Sequence, residues 1–195
     1  MRIPKRRRRE GKTDYLKRIK LLKSESPRVV FRKTNNLIIA EYVTSKEAQD
    51  KIEIGITSKA LKNYGWPDKF DGSLKSIPAS YLTGFLIGKE ILKKKLEQPI
   101  VDFGMMRMLS KNKGFAFLKG LIDAGIEISC NEEHFPEEER IIGTNLKEDF
   151  SKTFKEIKSK IEKNEAVHST KKETHKEHEK KEETHSTKKA VTKKK

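Results

Sequence analysis

The sequence predicts an α/β protein built on a single mixed sheet, an antiparallel meander followed by parallel crossovers, with helices packed on it. A basic N-terminal arm and a C-terminal helix complete it. Three observations lead there. Runs of alternating apolar residues follow one another closely between Arg28 and Thr57, which is the pattern of hairpin-connected strands. Later apolar runs are short and are separated by stretches with helical spacing, as in strands joined through crossover helices. The positive charge is concentrated at one end.

Of 195 residues, 45 are Lys or Arg and 29 Asp or Glu, for a net charge of +16. Residues 1–33 carry 14 basic and 3 acidic side chains, residues 34–163 carry 21 and 20, and residues 164–195 carry 10 and 6. The middle is therefore nearly neutral, and a basic arm on a neutral body reads as an anchor for a polyanion. No apolar run approaches the roughly 18 residues of a spanning helix, so no membrane partner is expected. The basic start lacks the apolar core of a secretory signal. One cysteine, Cys130, excludes an internal disulfide framework and fits a reducing compartment.

The organisation expected is a basic arm over 1–12, an α/β body over 13–145, a C-terminal helix over 146–163 and a tail over 164–195. The Lys5–Arg9 block repels itself and has little means of ordering alone. Residues 13–23 form a helix capped by Asp14, with Tyr15, Ile19 and Leu22 as its apolar side. Strands cover 28–33 and 37–44 around a Thr34-Asn35-Asn36 turn, with Val29 and Phe31 on one face and Arg28, Val30 and Arg32 on the other. In a third strand Ile52, Ile54 and Ile56 share a face. A short helix follows Ser58 and ends near Gly65, and 66–76 are loop. Ser76 and Pro78 open a long helix to about Glu97, with Leu82, Phe85, Leu86 and Leu92 as its apolar side. Its Gly84-x-x-x-Gly88 marks close packing of helix on sheet. Ile100–Phe103 is a strand, and Phe115 to Ile122 lie on a helix closed at Gly125. Ile126, Ile128 and Cys130 alternate as a last strand, and 131–145 are acidic and irregular. Asn145-x-x-Glu148 is a capping box for a final helix striped by Leu146, Phe150, Phe154, Ile157 and Ile161. In the tail His168-Ser-Thr-Lys-Lys recurs at His185, a low-complexity composition that cannot bury enough surface to fold.

Catalytic signatures are missing. There is no phosphate-binding loop, dinucleotide fingerprint or nucleophile elbow. Cys130 and His134 with their glutamate neighbours offer too few of the four ligands of a structural zinc site, and the tail histidines read as composition. Asp102 has no second acid, base or nucleophile placed beside it, so no catalytic set can be assembled; no enzyme activity, cofactor or metal is expected. The basic arm differs, because its charge continues through Lys17, Arg18, Lys20 and Lys23 on a helix and Arg28, Arg32 and Lys33 on a strand. Tyr15 and Phe31 are interleaved. Arginine forks suit phosphates and aromatic rings stack on unpaired bases, so nucleic-acid binding is the expected function.

Six segments in order carry a family resemblance. They are Arg6-Arg-Arg-Arg-Glu-Gly-Lys-Thr-Asp-Tyr15, Pro27-Arg-Val-Val-Phe-Arg-Lys-Thr-Asn35, Tyr64-Gly-Trp66, Ile77-Pro-Ala-Ser-Tyr-Leu-Thr-Gly-Phe-Leu-Ile-Gly88, Leu118-Lys-Gly-Leu-Ile-Asp-Ala-Gly-Ile-Glu-Ile128 and Phe135-Pro-Glu-Glu-Glu-Arg-Ile-Ile-Gly143. Together they resemble the archaeal form of the universal large-subunit ribosomal protein family eighteen, which carries 5S ribosomal RNA. The resemblance covers about residues 1–163. It implies a cytoplasmic protein in the central protuberance of the large ribosomal subunit, with no catalysis. The partners implied are 5S rRNA, 23S rRNA and the neighbouring 5S-binding ribosomal protein, with no DNA. The RNA contacts implied are Arg6, Arg7, Arg8, Arg9, Lys12, Tyr15, Arg18, Arg28, Arg32, Thr34 and Asn35, with Lys111 and Lys113 in the loop before the Phe115 helix. That loop departs from the family pattern. Ser110-Lys111-Asn112-Lys113 stands where a Lys-Gly-Ser-Arg-like sequence is expected, without the glycine and with Lys for Arg. The runner-up function is a free-standing RNA-binding or RNA-chaperone module.

Overall fold

The computed structural model describes residues 3–47, 49–146 and 150–163. A single turn, α1 (Arg6–Arg9), and α2 (Tyr15–Lys23) precede strands β1 (Arg28–Lys33), β2 (Ile38–Lys46) and β3 (Gln49–Thr57). Two 3-10 segments, Ser58–Tyr64 and Asp68–Ser73, lead to α3 (Ile77–Lys93), β4 (Ile100–Asp102) and α4 (Lys113–Ala124). A 3-10 turn at Glu132–His134, α5 (Glu138–Ile142) and α6 (Ser151–Glu162) follow. The sheet order is β3-β2-β1-β4. β1 pairs antiparallel with β2 and parallel with β4, and β2 pairs antiparallel with β3. The mixed sheet is thus as expected, with one parallel crossover.

One sheet face carries the core. Val29, Phe31, Ile38, Ala40, Tyr42 and Ile54 meet Ile87 and Ile91 of α3 and Phe117 and Leu121 of α4. The Phe31 ring lies 4.8 Å from Phe117 and 5.6 Å from Phe103. Burying each such ring contributes roughly 1.5–3 kcal/mol. Behind α3, a second cluster joins Leu82, Phe85 and Tyr81 to Trp66, Phe150, Phe154 and Ile157. α3 therefore has apolar neighbours on both sides, and 12 of its 17 residues are buried. Its expected apolar side was too narrow: Ile87 and Ile91 are inside, whereas Leu92 is 45% exposed. α3 also stops at Lys93, because Lys95 turns into a left-handed conformation (φ 51°) and Leu96 N–H bonds back to the Ile91 carbonyl, a helix-stop geometry.

α4 crosses α3 at glycines. A β-carbon on Gly120 would stand 2.2 Å from the Tyr81 carbonyl oxygen, and one on Gly84 2.4 Å from the Phe117 oxygen. The Gly84-x-x-x-Gly88 spacing thus serves helix on helix, not helix on sheet. Ser80 Oγ donates to the Lys113 carbonyl at 2.6 Å and Tyr81 OH to Asp123 at 2.6 Å, which locks the crossing. Burial, followed by the Asp123 hydrogen bond and charge, pushes the Tyr81 phenol far up, so it stays a donor.

Three elements differ from expectation. Residues 126–130 keep the predicted alternation, with Ile126 buried, yet form no strand. The edge they would join, β4, is only three residues long and ends at a left-handed Gly104 (φ 58°). Residues 138–142 are helical within the stretch taken as irregular, and the 66–76 loop contains a 3-10 segment. In β3 the register steps from Tyr42↔Ile54 to Val43↔Ile52, leaving Glu53 as a bulge. A bulge reverses the faces of the residues before it, so Ile52 turns outward at 55% exposure while Ile54 stays in the core. The C-terminal stripe Phe150, Phe154, Ile157 and Ile161 is buried, whereas Leu146 is exposed. The capping-box residue Glu148 and the 164–195 tail lie outside the described residues.

Candidate nucleic-acid interface

The outer face of the sheet, away from α3 and α4, carries the arm. The four arginines of α1 are all exposed. They form a turn because the chain after them folds back on it: Gly11 takes a left-handed conformation (φ 63°), and the Lys12 and Thr13 N–H groups both bond the Arg7 carbonyl. Arg7 Nε donates to Thr13 Oγ1 at 3.0 Å. Glu10 sits between Arg6 (3.5 Å) and Lys12 (2.8 Å), and Arg8 reaches Asp14 at 3.9 Å. The Lys5 ammonium lies over the Tyr15 ring at 4.7 Å. Charge repulsion is thus offset by neighbouring carboxylates, and the block expected not to order alone forms a short folded arm.

Asp14 caps α2, its carboxylate accepting from Leu16 and Lys17 N–H. The helix does not bury the apolar side expected of it. No residue of α2 is buried, and Leu16 and Ile19 are 66% and 49% exposed. Its sheet-facing side is charged because the sheet there is charged. Arg18 Nη2 donates to Asp50 Oδ2 at 2.9 Å, and the Lys17 ammonium stands 3.9 Å from Asp102 Oδ1 and 3.4 Å from the Gly104 carbonyl.

Between these contacts runs a polar row across the four strands. Asp50 on β3 accepts from Ser45 on β2 at 2.7 Å and from Arg28 on β1 at 2.8 Å, while Arg28 Nη1 lies 3.9 Å from Asp102 on β4. Asp50 reaches this face only because the Glu53 bulge reverses the strand's parity. Although burial pushes the Asp50 carboxyl up, hydrogen bonds from Ser45 and Arg18 and the Arg28 and Arg18 charges together hold it below its usual range. Arg32 donates to the Asp102 carbonyl at 3.2 Å and approaches its carboxylate at 3.4 Å, yet remains 45% exposed. A β-carbon on Gly104 would stand 2.9 Å from Arg32 Nη1, so glycine admits this close approach. Arm, α2 and sheet enclose a cavity of about 120 Å³ whose basic lining is Arg7, Lys12, Lys17, Arg18, Arg28 and Arg32, against Asp14 and Asp102.

Of the expected RNA contacts, Arg28 is the one that is buried. It is 2% exposed and is taken up by Asp50, Ser45 and Asp102, because the arm covers the face on which alternation places it. Arg32, four residues on, emerges beyond that cover.

A second group gathers at the far end of β1. Thr34 holds the hairpin turn, its hydroxyl accepting from Leu37 N–H at 3.0 Å and donating to the Leu37 carbonyl at 2.8 Å, with Asn35 exposed at the tip. Lys75 donates to the Asn35 carbonyl. Burial, then the charges of Lys33 and Lys75, lower the Lys113 pKa. Asn112 caps α4, accepting from Gly114 and Phe115 N–H at 2.8 and 3.2 Å. Lys33 was visible in the basic run, whereas Lys75 stands alone in a loop and no local pattern singles it out.

Lys111 occupies the position where the resemblance leads one to expect glycine, and its φ is 58°, the conformation a glycine would adopt freely. Its ammonium donates to Glu137 at 2.7 Å, a hydrogen bond that holds the Glu137 carboxyl low. Left-handed backbone costs a residue with a β-carbon about 1 kcal/mol, and an exposed ion pair recovers little of it. Lys111→Gly is therefore expected to raise the unfolding free energy by up to about 1 kcal/mol; a lower denaturant midpoint would show that the Glu137 contact outweighs the strain. Nearby, His134 Nδ1 pairs with Ser110 Oγ at 3.0 Å, and among the described residues no three His, Cys, Asp or Glu side chains converge as metal ligands.

The fold and this face define a basic-armed α/β protein whose cations are held on folded elements, as a polyanion-binding protein requires. Comparison with known proteins makes the class specific. Residues 1–99 match the family described as ribosomal large subunit proteins 60S L5 and 50S L18. The chain is 43% identical over 141 residues to the large ribosomal subunit protein uL18 of Korarchaeum cryptofilum, covering 72% of this chain and 70% of that protein. It is 41% identical over 146 residues to the protein of the same name from Methanoculleus marisnigri, covering 75% and 81%. The chain belongs to this family of large-subunit ribosomal proteins.

Proposed function

We propose that this protein binds 5S rRNA and helps attach it to 23S rRNA in the central protuberance of the cytoplasmic large ribosomal subunit, beside a neighbouring 5S-binding ribosomal protein. The observation that carries this reading is that consecutive residues of β1, Arg32 and Lys33, belong to the two separate basic groups, so one strand presents both. Arg6, Arg7, Arg8, Arg9 and Lys12 neutralise phosphates, and Tyr15 and Arg18 extend the contact along α2. Arg32, Thr34 and Asn35 fix the docking angle from the hairpin, and Lys111 and Lys113 add contacts from the loop before α4. Arg28 serves from inside by holding its neighbours. Contacts from folded elements carry specificity while arm charges carry affinity.

The test is binding of the full chain to 5S rRNA and to an unrelated RNA of equal length at physiological salt, with retention on large subunits through a moderate-salt wash. Tighter binding to 5S rRNA is expected. Equal affinity for both RNAs, or loss from the subunit in the wash, would favour a free-standing RNA-binding protein instead.

A further inference from the structure

α2 has no buried residue, and one of its apolar side chains, Leu21, lines the cavity against the sheet. The helix is fastened by two carboxylates, each of which takes one cation from α2: Asp50 takes Arg18 and Asp102 takes Lys17. Both also face the same buried arginine, Arg28, and Asp102 holds Arg32 as well. Asp102 is itself fixed, being 6% exposed and accepting the Gly104 N–H at 2.7 Å. Two acids therefore set the positions of three cations on the face read above as the RNA contact.

We infer that Asp50 and Asp102 are positioning residues for RNA binding. They touch no RNA, and they hold Lys17, Arg18 and Arg32 in a fixed arrangement so that the arm meets RNA already ordered. Ordering long cationic side chains before binding removes an entropic cost that is otherwise met on association. The proposal rests on the reading of this protein as RNA-binding, and it makes a prediction opposite in sign to simple charge counting. An acid beside a phosphate-binding face repels phosphate, so removing it should tighten binding if charge alone matters. If the acid positions the cations, removing it weakens binding.

The experiment compares the full chain with Asp50→Asn, and with Glu25→Gln as a control that removes the same charge from an exposed residue of the same region with no ion pair among the described residues. RNA affinity is read by salt titration against 5S rRNA and the unrelated RNA, and amide hydrogen exchange is read without RNA. Asp50→Asn is expected to weaken RNA binding three- to tenfold and to speed exchange across residues 15–23 while the amides of β1 and β2 stay protected. Glu25→Gln is expected to leave affinity unchanged or slightly raised. Asp102→Asn should produce a larger loss, scored only where its thermal unfolding stays cooperative, and Asp50→Asn decides the matter regardless. Binding by Asp50→Asn as tight as the parent or tighter overturns the proposal, as does weaker binding without faster α2 exchange. Should the parent show no preference for 5S rRNA, the target reading falls, while the exchange data and affinity for the unrelated RNA still decide the positioning role.

Discussion

Replacing Arg6, Arg7, Arg8 and Arg9 together by glutamine is expected to flatten the log-affinity versus log-salt slope for 5S rRNA by roughly 3 units, and to cost about a hundredfold in affinity at physiological salt. All four guanidinium groups are exposed, and among the described residues only Arg6 and Arg8 have a carboxylate within ion-pair distance, at 3.5 and 3.9 Å. Each phosphate contact releases condensed counterions, and four contacts at about 0.7–0.9 each give the slope. The fold should survive, since no residue of α1 is buried. The measurement is a binding titration between about 50 and 200 mM salt, with the thermal midpoint checked in parallel. An unchanged slope would mean that the arm is merely a solvated terminus.

The largest effect on stability is expected at Gly120. Its hypothetical β-carbon meets backbone, 2.2 Å from the Tyr81 oxygen and 2.9 Å from the Phe85 nitrogen, so Gly120→Ala must push α4 away from α3. Overpacking typically costs 1–3 kcal/mol, and here the obstacle is another helix's main chain, which cannot rotate aside. Alanine's better helix propensity returns only about 1 kcal/mol. A net loss of about 2 kcal/mol or more is expected in denaturant unfolding, a large share of a typical domain's stability. Gly55→Ala is the contrast, because a β-carbon there meets only the Ile52 side chain at 3.7 Å, and a change within about 0.5 kcal/mol is expected. Equal effects at the two positions would refute the account of the helix crossing.

Where structure is decided locally, the sequence is legible. Asp14, Ser76 and Asn112 cap the helices that follow them, and Gly65 and Gly125 end theirs in left-handed conformations. A cap is a bargain between residues three apart, so the residue type announces it. The departures on the sheet and its outer face are tertiary. Ile52 alternates correctly with Ile54 and still points outward, because the bulge depends on how β3 pairs with β2. The 126–130 segment alternates correctly and stays unpaired, because β4 offers too short an edge. α2 displays a plausible apolar side and does not bury it, because Asp50 and Asp102 lie on the surface it meets. The candidate site divides the same way. The basic run is composition and can be counted, whereas the withdrawal of Arg28 and the arrival of Lys75 depend on which chain segments cover or approach the hairpin.

The row across the four strands also has an order in time. Lys17 and Arg18 leave the site of synthesis early, Asp50 follows Arg18 by 32 residues, and Asp102 follows Lys17 by 85. At roughly 5–20 residues per second, the second anchor trails the helix it secures by about 4–17 s. Until Asp102 is made, β1 has only β2 beside it, and Lys17 on α2 lacks its carboxylate in surroundings crowded with nucleic acid. A nascent chain paused before Asp102 would carry that exposed charge for as long as the pause lasts, so the tempo of elongation through residues 50–102 governs how long the newborn protein is open to binding the wrong RNA.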